Sequence, residues 1–127
     1  SAASDVYKRQ IFDDDPEVNM LVFGDFNDTR NEPPVKALMG KFGTDRYLRA
    51  LRLEDFYGFE WTHHWDYADI YARIDFILIS RGIYREVNFD KSYIYHFTTK
   101  ENRKAWMKAS DHRPLVTGIR PVDVDPR

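Results

Sequence analysis

The chain has 127 residues, of which 43% are hydrophobic and 16% aromatic, so it can form one small domain with its own core. Its formal net charge of −2 argues against a protein that holds long nucleic acids through a broadly basic face. Cysteine is absent, which excludes disulfide bonds and thiolate zinc sites. No apolar run reaches the roughly 20 residues that span a bilayer, and the first residues show no signal-peptide pattern. Neither observation assigns a compartment.

The first ten residues show no clear link to the hydrophobic pattern that follows them. We interpret residues 1–10 as a non-native or disordered leader, residues 11–121 as the folded part, and residues 122–127 as a polar tail.

Residues 19–24 form a short apolar run that ends in Gly24, which predicts a buried strand followed by a polar loop. A helix is predicted next, because Pro33 fits the first turn and apolar residues then recur at helical spacing. These residues are Val35, Leu38, Met39 and Phe42. Thr44 predicts the cap of a second short helix. Its apolar face consists of Tyr47, Leu48 and Leu51.

Residues 56–71 are aromatic without helical or strand periodicity, which predicts a long loop. Residues 74–79 form a second apolar strand that only Asp75 interrupts. Further strands are predicted over residues 92–97 and 114–119, and the charged connection over 100–108 has helical character.

A carboxylate lies at or beside the end of three of these strands. Asp25 follows the first strand, Asp75 lies within the second, and Asp111 precedes the last. Carboxylates in such positions can converge on one rim of a sheet. Asp75 is the most informative of them, because an unpaired buried carboxylate costs several kcal/mol.

Three short motifs contain these residues: Gly-Asp-Phe-Asn at 24–27, Arg-Ile-Asp-Phe-Ile-Leu at 73–78, and Ser-Asp-His at 110–112. Each motif alone is weak, since Asp and Asn are common turn formers. Together, in this order and strand context, they resemble the second half of the endonuclease/exonuclease/phosphatase superfamily, over residues 19–119.

The resemblance implies an α+β fold, half of a four-layered α/β sandwich of the DNase I-like type. Residues 11–121 would be the C-terminal half of the domain, with one mixed, mostly antiparallel sheet and flanking helices. The missing N-terminal half would supply an asparagine and the principal metal-binding glutamate. We therefore expect this chain alone to be inactive.

The resemblance also implies a role for each motif residue. Asp25 would orient or deprotonate the attacking water, and Asn27 would bind a phosphate oxygen. His112 would contact the scissile phosphate, and Asp75 would pair with His112 and fix its tautomer. Asp111 would be a ligand of Mg²⁺ or lie beside one, with Mn²⁺ as an alternative.

Structural alternatives exist for the same residues. Asp25 and Asn27 can be turn formers, and Asp111 can be a cap. His112 can be a hydrogen-bonded residue at a strand edge, and Asp75 can bond to Arg73 or a backbone amide.

Weaker candidates lie in or beside the aromatic segment. Trp65 can stack on a substrate base or sugar, as can Trp61 and Tyr67, although core packing is the simpler use. Arg73 is a weak candidate for substrate binding. The adjacent His63 and His64 point in opposite directions on extended backbone, so they do not easily share a zinc ion.

The sequence therefore predicts a metal-dependent phosphoesterase that hydrolyses a phosphodiester or phosphomonoester with an activated water. Its substrate would be a nucleic acid, a phospholipid, or a sugar or inositol phosphate. The alternative is a non-catalytic remnant or binding domain that retains the fold.

Overall fold

The computed structural model describes residues 2–122, which form three helices and seven strands. The helices are α1 (Ala2–Asp14), α2 (Pro33–Met39) and α3 (Lys100–Ala109). The strands are β1 (Leu21–Asp25), β2 (Arg49–Ala50), β3 (His63–Trp65), β4 (Ile70–Ala72), β5 (Asp75–Ile79), β6 (Val87–Ile94) and β7 (Leu115–Ile119). A single 3-10 turn spans Tyr84–Glu86.

The strands pair antiparallel in three small sheets, in the orders β1-β5-β2, β3-β4 and β6-β7. The α+β class predicted from the sequence is confirmed, but the expected single mixed sheet is divided. Short strands and an irregularity in the β6–β7 pairing between Asn88 and Tyr93 limit how far each ladder extends. One isolated bridge, between His63 and His112, connects the β3–β4 hairpin to the segment before β7.

Strand β5 is the common wall of two hydrophobic cores. Its side chains alternate across the strand, so Phe76 and Leu78 enter one core while Ile77 and Ile79 enter the other. The first core packs α1 and α2 against one face of the sheet, and the second packs the residues after β2 and in β6 against the opposite face. Both faces of β5 are therefore covered, which explains why its sequence is an almost continuous apolar run.

Helix α2 begins at Pro33 as predicted, but it ends at Met39, before Gly40 with its positive φ of 80°. Phe42 is consequently not on its buried face and is 79% exposed.

The second short helix predicted after Thr44 is wrong. The chain turns there and then enters β2, and directly after this strand the backbone N–H of Leu51 donates to the carbonyl of Ile77. Leu48 packs in the first core and Leu51 in the second, so these apolar residues serve two faces of a sheet.

The long loop predicted over residues 56–71 contains the β3–β4 hairpin instead. Its ladder pairs His63 with Ala72 and Trp65 with Ile70. The connection between the strands includes Asp69 at a positive φ of 51°. Backbone hydrogen bonds hold these two strands together. Apolar and polar residues do not alternate along them, so the sequence shows no strand pattern.

Residues 1–10 are the segment interpreted from the sequence as a non-native or disordered leader. Residues 2–10 belong to α1, where Lys8 is 3% exposed and donates from Nζ to the carbonyl of Leu38 at 2.7 Å. Burial lowers the pKa of Lys8, against the opposing effect of Asp5. Phe12 is 2% exposed in the first core. A non-native origin for residues 1–10 stays a prediction. Most of the predicted tail, residues 123–127, lies outside the described residues.

Among the helices of residues 2–122, none combines the length and the apolar character that crossing a membrane requires.

If α1 is part of the folded unit, Phe12→Ala should lower the free energy of unfolding by about 3–5 kcal/mol, the usual cost of removing a buried phenylalanine ring. Equilibrium urea unfolding measures this. Tyr7→Ala is the matched control, because Tyr7 lies on the same helix and is 66% exposed. The Tyr7 variant should stay within about 0.5 kcal/mol of the parent chain. Equal stability of the two variants would show that α1 does not contribute to the core.

Candidate active site

Three separate segments bring acidic side chains to one histidine. Asp25 ends β1 and Asp75 begins β5, and the antiparallel register places these two residues directly opposite each other. Asp111 and His112 lie in the short connection between α3 and β7. The strand-end carboxylates noted in the sequence thus lie around a single imidazole ring.

His112 has one ring nitrogen paired and the other facing two more acids. Its Nδ1 lies 2.8 Å from Oδ2 of Asp75. Its Nε2 lies 3.8 Å from Oδ2 of Asp25 and 3.8 Å from Oδ1 of Asp111. Because the carboxylate of Asp75 accepts a hydrogen bond from Nδ1–H, the ring is fixed in orientation with Nε2 directed toward the other two acids.

The surroundings of His112 favour its charged form. Burial of the ring acts to lower the pKa of His112, but the hydrogen bond and negative charge of Asp75, helped by Asp25 and Asp111, outweigh it and raise the pKa. The hydrogen bond from His63 is the main cause that lowers the pKa of Asp111. The group therefore favours an imidazolium among carboxylates.

The backbone around His112 is held by three hydrogen bonds. Its own N–H donates to Oγ of Ser110 at 3.0 Å, and its carbonyl accepts from Nε1 of Trp106 at 3.1 Å. The N–H of Arg113 donates to the carbonyl of Thr62 at 2.6 Å. The histidine is consequently positioned by α3 on one side and by the segment entering β3 on the other.

Thr62 is a positioning residue that the sequence analysis missed. Its side chain is fully buried, and Oγ1 accepts from the N–H groups of Ile74 and Asp75, both at 3.2 Å. The same residue therefore holds the start of β5, with Asp75, and the segment that follows His112. A threonine in an aromatic segment gives no periodic signal, so only a buried hydroxyl seen in three dimensions identifies it.

A buried ion pair between Arg113 and Asp55 also supports the site. Nη1 of Arg113 lies 2.9 Å from Oδ2 of Asp55, and the two side chains are 2% and 1% exposed. Burial alone would raise the pKa of Asp55, but the hydrogen bond from Arg113 and those from the N–H groups of Phe59 and Tyr57 lower it. Arg113 also donates to the carbonyl of Trp61 and stacks over its ring at 3.7 Å. The residue after His112 is therefore tied to the segment before β3.

The two adjacent histidines point apart, as the sequence indicated. Nε2 of His63 lies 2.9 Å from Oδ2 of Asp111, and the rings of His63 and His112 are 4.7 Å apart. His64 instead pairs with Asp69 at 2.9 Å and stacks on Tyr71 at 4.1 Å. The contact between His63 and Asp111 has no signature in the sequence, because the two residues are 48 positions apart in the chain.

The remaining predicted site residues have mixed placements. Asn27 is exposed, with a positive φ of 54°, and its N–H donates to Oδ1 of Asp25 at 2.7 Å. The guanidinium of Arg73 donates to three backbone carbonyls, those of Leu53, Glu60 and Asp75, and so has a structural use. Burial lowers the pKa of Arg73.

An open cleft of about 970 Å³ borders the site. Asp111 and His112 lie at its wall, together with the aromatic side chains of Trp61, Tyr71 and Trp106. The basic Lys100 and Arg103 of α3 also line the cleft, as does the acidic Asp66. Trp65, the aromatic residue singled out from the sequence, is 50% exposed and does not line the cleft in the part of the chain described. A role for Trp65 or Arg73 in substrate binding stays a prediction.

Within residues 2–122, two groups of side chains are arranged so that each could hold a metal ion. One comprises Asp25, Asp75 and His112, and the other comprises His63, Asp111 and His112. In each group the ligand atoms lie within 4.8 Å of one another. His112 belongs to both groups.

Comparison with known proteins gives one result on the family. No curated protein and no solved structure matches the chain significantly. The profile of the Endonuclease/Exonuclease/phosphatase family, however, matches residues 2–112, which is most of the chain. This match includes α1 as well as the three motifs. The chain belongs to the Endonuclease/Exonuclease/phosphatase family.

Proposed function

We propose that this chain carries the acid–histidine part of a phosphoesterase active site that hydrolyses a phosphodiester or phosphomonoester with an activated water. Membership of the family supports a phosphoesterase or nuclease type of function. The observation that carries the specific proposal is the position of His112, with Asp75 on one ring nitrogen and Asp25 and Asp111 facing the other.

In this proposal Asp25 is the general base. Its side chain is 47% exposed, so water reaches it, and Oδ2 lies 3.8 Å from His112 Nε2, close to where a phosphate would lie. Asp25 takes a proton as the water oxygen bonds to phosphorus. The bond from phosphorus to the leaving oxygen then breaks, and the leaving alkoxide takes a proton from solvent and departs as the alcohol. Asn27, adjacent in the same loop, binds a phosphate oxygen.

His112 would stabilise the negative charge that develops on the phosphate. A protonated imidazole donates from Nε2 while Nδ1–H stays bonded to Asp75. The raised pKa of His112 supports this role, since it keeps the ring charged to higher pH. Asp75 is therefore a positioning residue that acts through His112.

The donor set fits a hard divalent cation. Asp25, Asp75 and Asp111 provide carboxylate oxygens, the ligand type that Mg²⁺ prefers, and Asp111 is 67% exposed, which leaves room for water ligands. Asp111 would be a ligand of the ion, with Mn²⁺ as the alternative. A bound cation supplies positive charge that neutralises the phosphate oxygens.

We further propose that turnover needs the first half of the domain. Both metal-competent groups in residues 2–122 consist of aspartate and histidine, without the glutamate that the family resemblance implies. An apolar groove of about 310 Å³ beside His112, lined by Phe23, Ile77 and Leu115 among others, is also uncovered. Phe23 is 73% exposed on β1. The first half would cover this surface and complete the metal site.

The side chains that line the cleft indicate the broad chemistry of the substrate. Its aromatic walls suit a group with a flat or apolar surface, and Lys100 and Arg103 suit an anion. Nucleic acid, phospholipid and sugar or inositol phosphate esters are all candidates within this chemistry.

Replacing Asp25 or His112 with alanine should reduce hydrolysis by at least about 100-fold, because each change removes proton transfer or charge stabilisation in the transition state. The assay follows release of nitrophenol from a bis(nitrophenyl) phosphate with Mg²⁺, in the protein that carries both halves. Asp69→Ala is the matched control, since Asp69 also pairs with a histidine, His64, but lies outside the site. Near-normal hydrolysis by either site variant would contradict the assigned roles. Hydrolysis by the present chain alone, at the rate of the two-half protein, would contradict the need for the first half.

Asp75→Asn should lower the pKa of His112, because it removes the negative charge that stabilises the imidazolium. The raised pKa of His112 also determines how the stabilisation by Asp75 depends on pH. Asp75 stabilises the fold most below the unfolded histidine pKa, and this contribution is lost as pH rises through the pKa of folded His112. The variant should therefore lose more stability in mildly acidic than in alkaline solution. Histidine ring signals in an NMR titration measure the pKa, and Asp69→Asn should leave that of His112 in place. An unchanged titration of His112 in Asp75→Asn would contradict the pairing.

A further inference from the structure

A cluster that combines imidazole and carboxylate groups lies beside Asp25 and Asp75. It consists of His63, Asp111 and His112. It provides two imidazole nitrogens and one carboxylate, with the three ligand atoms within 4.8 Å of one another. We propose that this cluster binds a borderline transition-metal cation, for which Zn²⁺ is the representative, through His63 Nε2, His112 Nε2 and an oxygen of Asp111.

The backbone places the two histidines side by side. His63 and His112 form an antiparallel bridge, with hydrogen bonds from Arg113 N–H to the Thr62 carbonyl at 2.6 Å and from His64 N–H to the Asp111 carbonyl at 3.3 Å. Residues opposite each other in such a pair project on the same face. This explains why the two rings lie 4.7 Å apart even though 49 positions separate them in the chain. The arrangement is therefore set by main-chain pairing.

The spacing of the ligand atoms suits a small tetrahedral ion. Zinc lies about 2.0–2.1 Å from nitrogen and oxygen ligands, which separates neighbouring ligand atoms by about 3.4 Å. Oδ2 of Asp111 lies 2.9 Å from His63 Nε2, and Oδ1 of Asp111 lies 3.8 Å from His112 Nε2, on either side of this value. Three protein ligands leave the fourth position for water.

His112 already has the outer partner that zinc-binding histidines use. Its Nδ1 lies 2.8 Å from Asp75, so a carboxylate, a histidine and the ion would form one line of contacts. When Nδ1 carries the proton that bonds to Asp75, the lone pair of Nε2 is free for a metal. Asp75 thus selects the tautomer that the proposed site needs.

The donor types separate this site from one for a hard cation. Imidazole suits zinc, copper, iron and nickel, whereas magnesium takes oxygen ligands almost exclusively. Two of the three ligands here are imidazoles. Because Asp111 and His112 are shared with the proposed catalytic group, zinc at His63 and phosphate at His112 would exclude each other. That last consequence, inhibition by zinc, rests on the proposed function.

The test is Zn²⁺ binding to this chain by calorimetry after all metal has been removed, and it needs no turnover. His63→Ala should weaken Zn²⁺ binding by at least about 100-fold, at or beyond the upper end of the 10- to 100-fold loss caused by removing an outer partner. His64→Ala is the matched control, because the neighbouring histidine pairs with Asp69 outside the cluster. The affinity of the His64→Ala variant for Zn²⁺ should match that of the parent chain.

Three outcomes would overturn the proposal. One is Zn²⁺ affinity in His63→Ala equal to that of the parent, and another is an equal loss in His64→Ala. The third is loss of binding in Asp25→Asn with full binding in His63→Ala, which would place the ion in the Asp25–Asp75–His112 group instead.

A probe in the unmodified chain guards against misfolding of the variants. Co²⁺, which occupies zinc sites, should shift the ring NMR signals of His63 and His112 strongly and those of His64 much less. Equal effects on all histidines would count against the site. If zinc binds as proposed but Mg²⁺-dependent hydrolysis is absent from the protein with both halves, the proposed function fails while the zinc site stands.

Discussion

The antiparallel register between β1 and β5 is the constraint on which the site depends. It sets Asp25 opposite Asp75 at the point where both strands leave the apolar core. A slip of one residue would turn Asp75 to the other face of the sheet and break its contact with His112. The register is in turn specified by the core, because Phe76 and Leu78 must face α1 and α2 while Ile77 and Ile79 face the opposite side.

The other half of the site is held by contacts that do not touch a reacting group. Thr62 joins the start of β5 to the chain after His112, and Arg113 joins that chain to Asp55 and Trp61. Breaking such a buried pair by removing one partner typically costs about 3–5 kcal/mol. The position of His112 is therefore determined from several directions.

The sequence predicted best what strong local patterns encode. The apolar runs of β1 and β5 and the acids at their ends were visible, because a carboxylate beside a buried strand is unusual. Helix α2 was predicted from Pro33 and from the helical spacing of the apolar residues after it, whereas α3 was only suggested by its charged segment. The segment after Thr44 was misassigned, since Leu48 and Leu51 fit a helical spacing as well as two faces of a sheet. The contact of His63 with Asp111 could not be predicted from the sequence, because it depends on the β3–β4 hairpin, whose residues show no periodic pattern. The roles of the site residues stay predictions.

The position of β5 between two cores has a consequence for how the chain tolerates change. The core residues on the α1 side and those on the β6 side belong to separate clusters. Both clusters nevertheless pack against the same five-residue strand, β5, which begins with Asp75. A volume change on either side shifts a shared backbone, and coupling of this kind makes substitutions non-additive. Paired replacements across β5 can thus compensate each other in the position of Asp75, so the two cores are constrained to vary together.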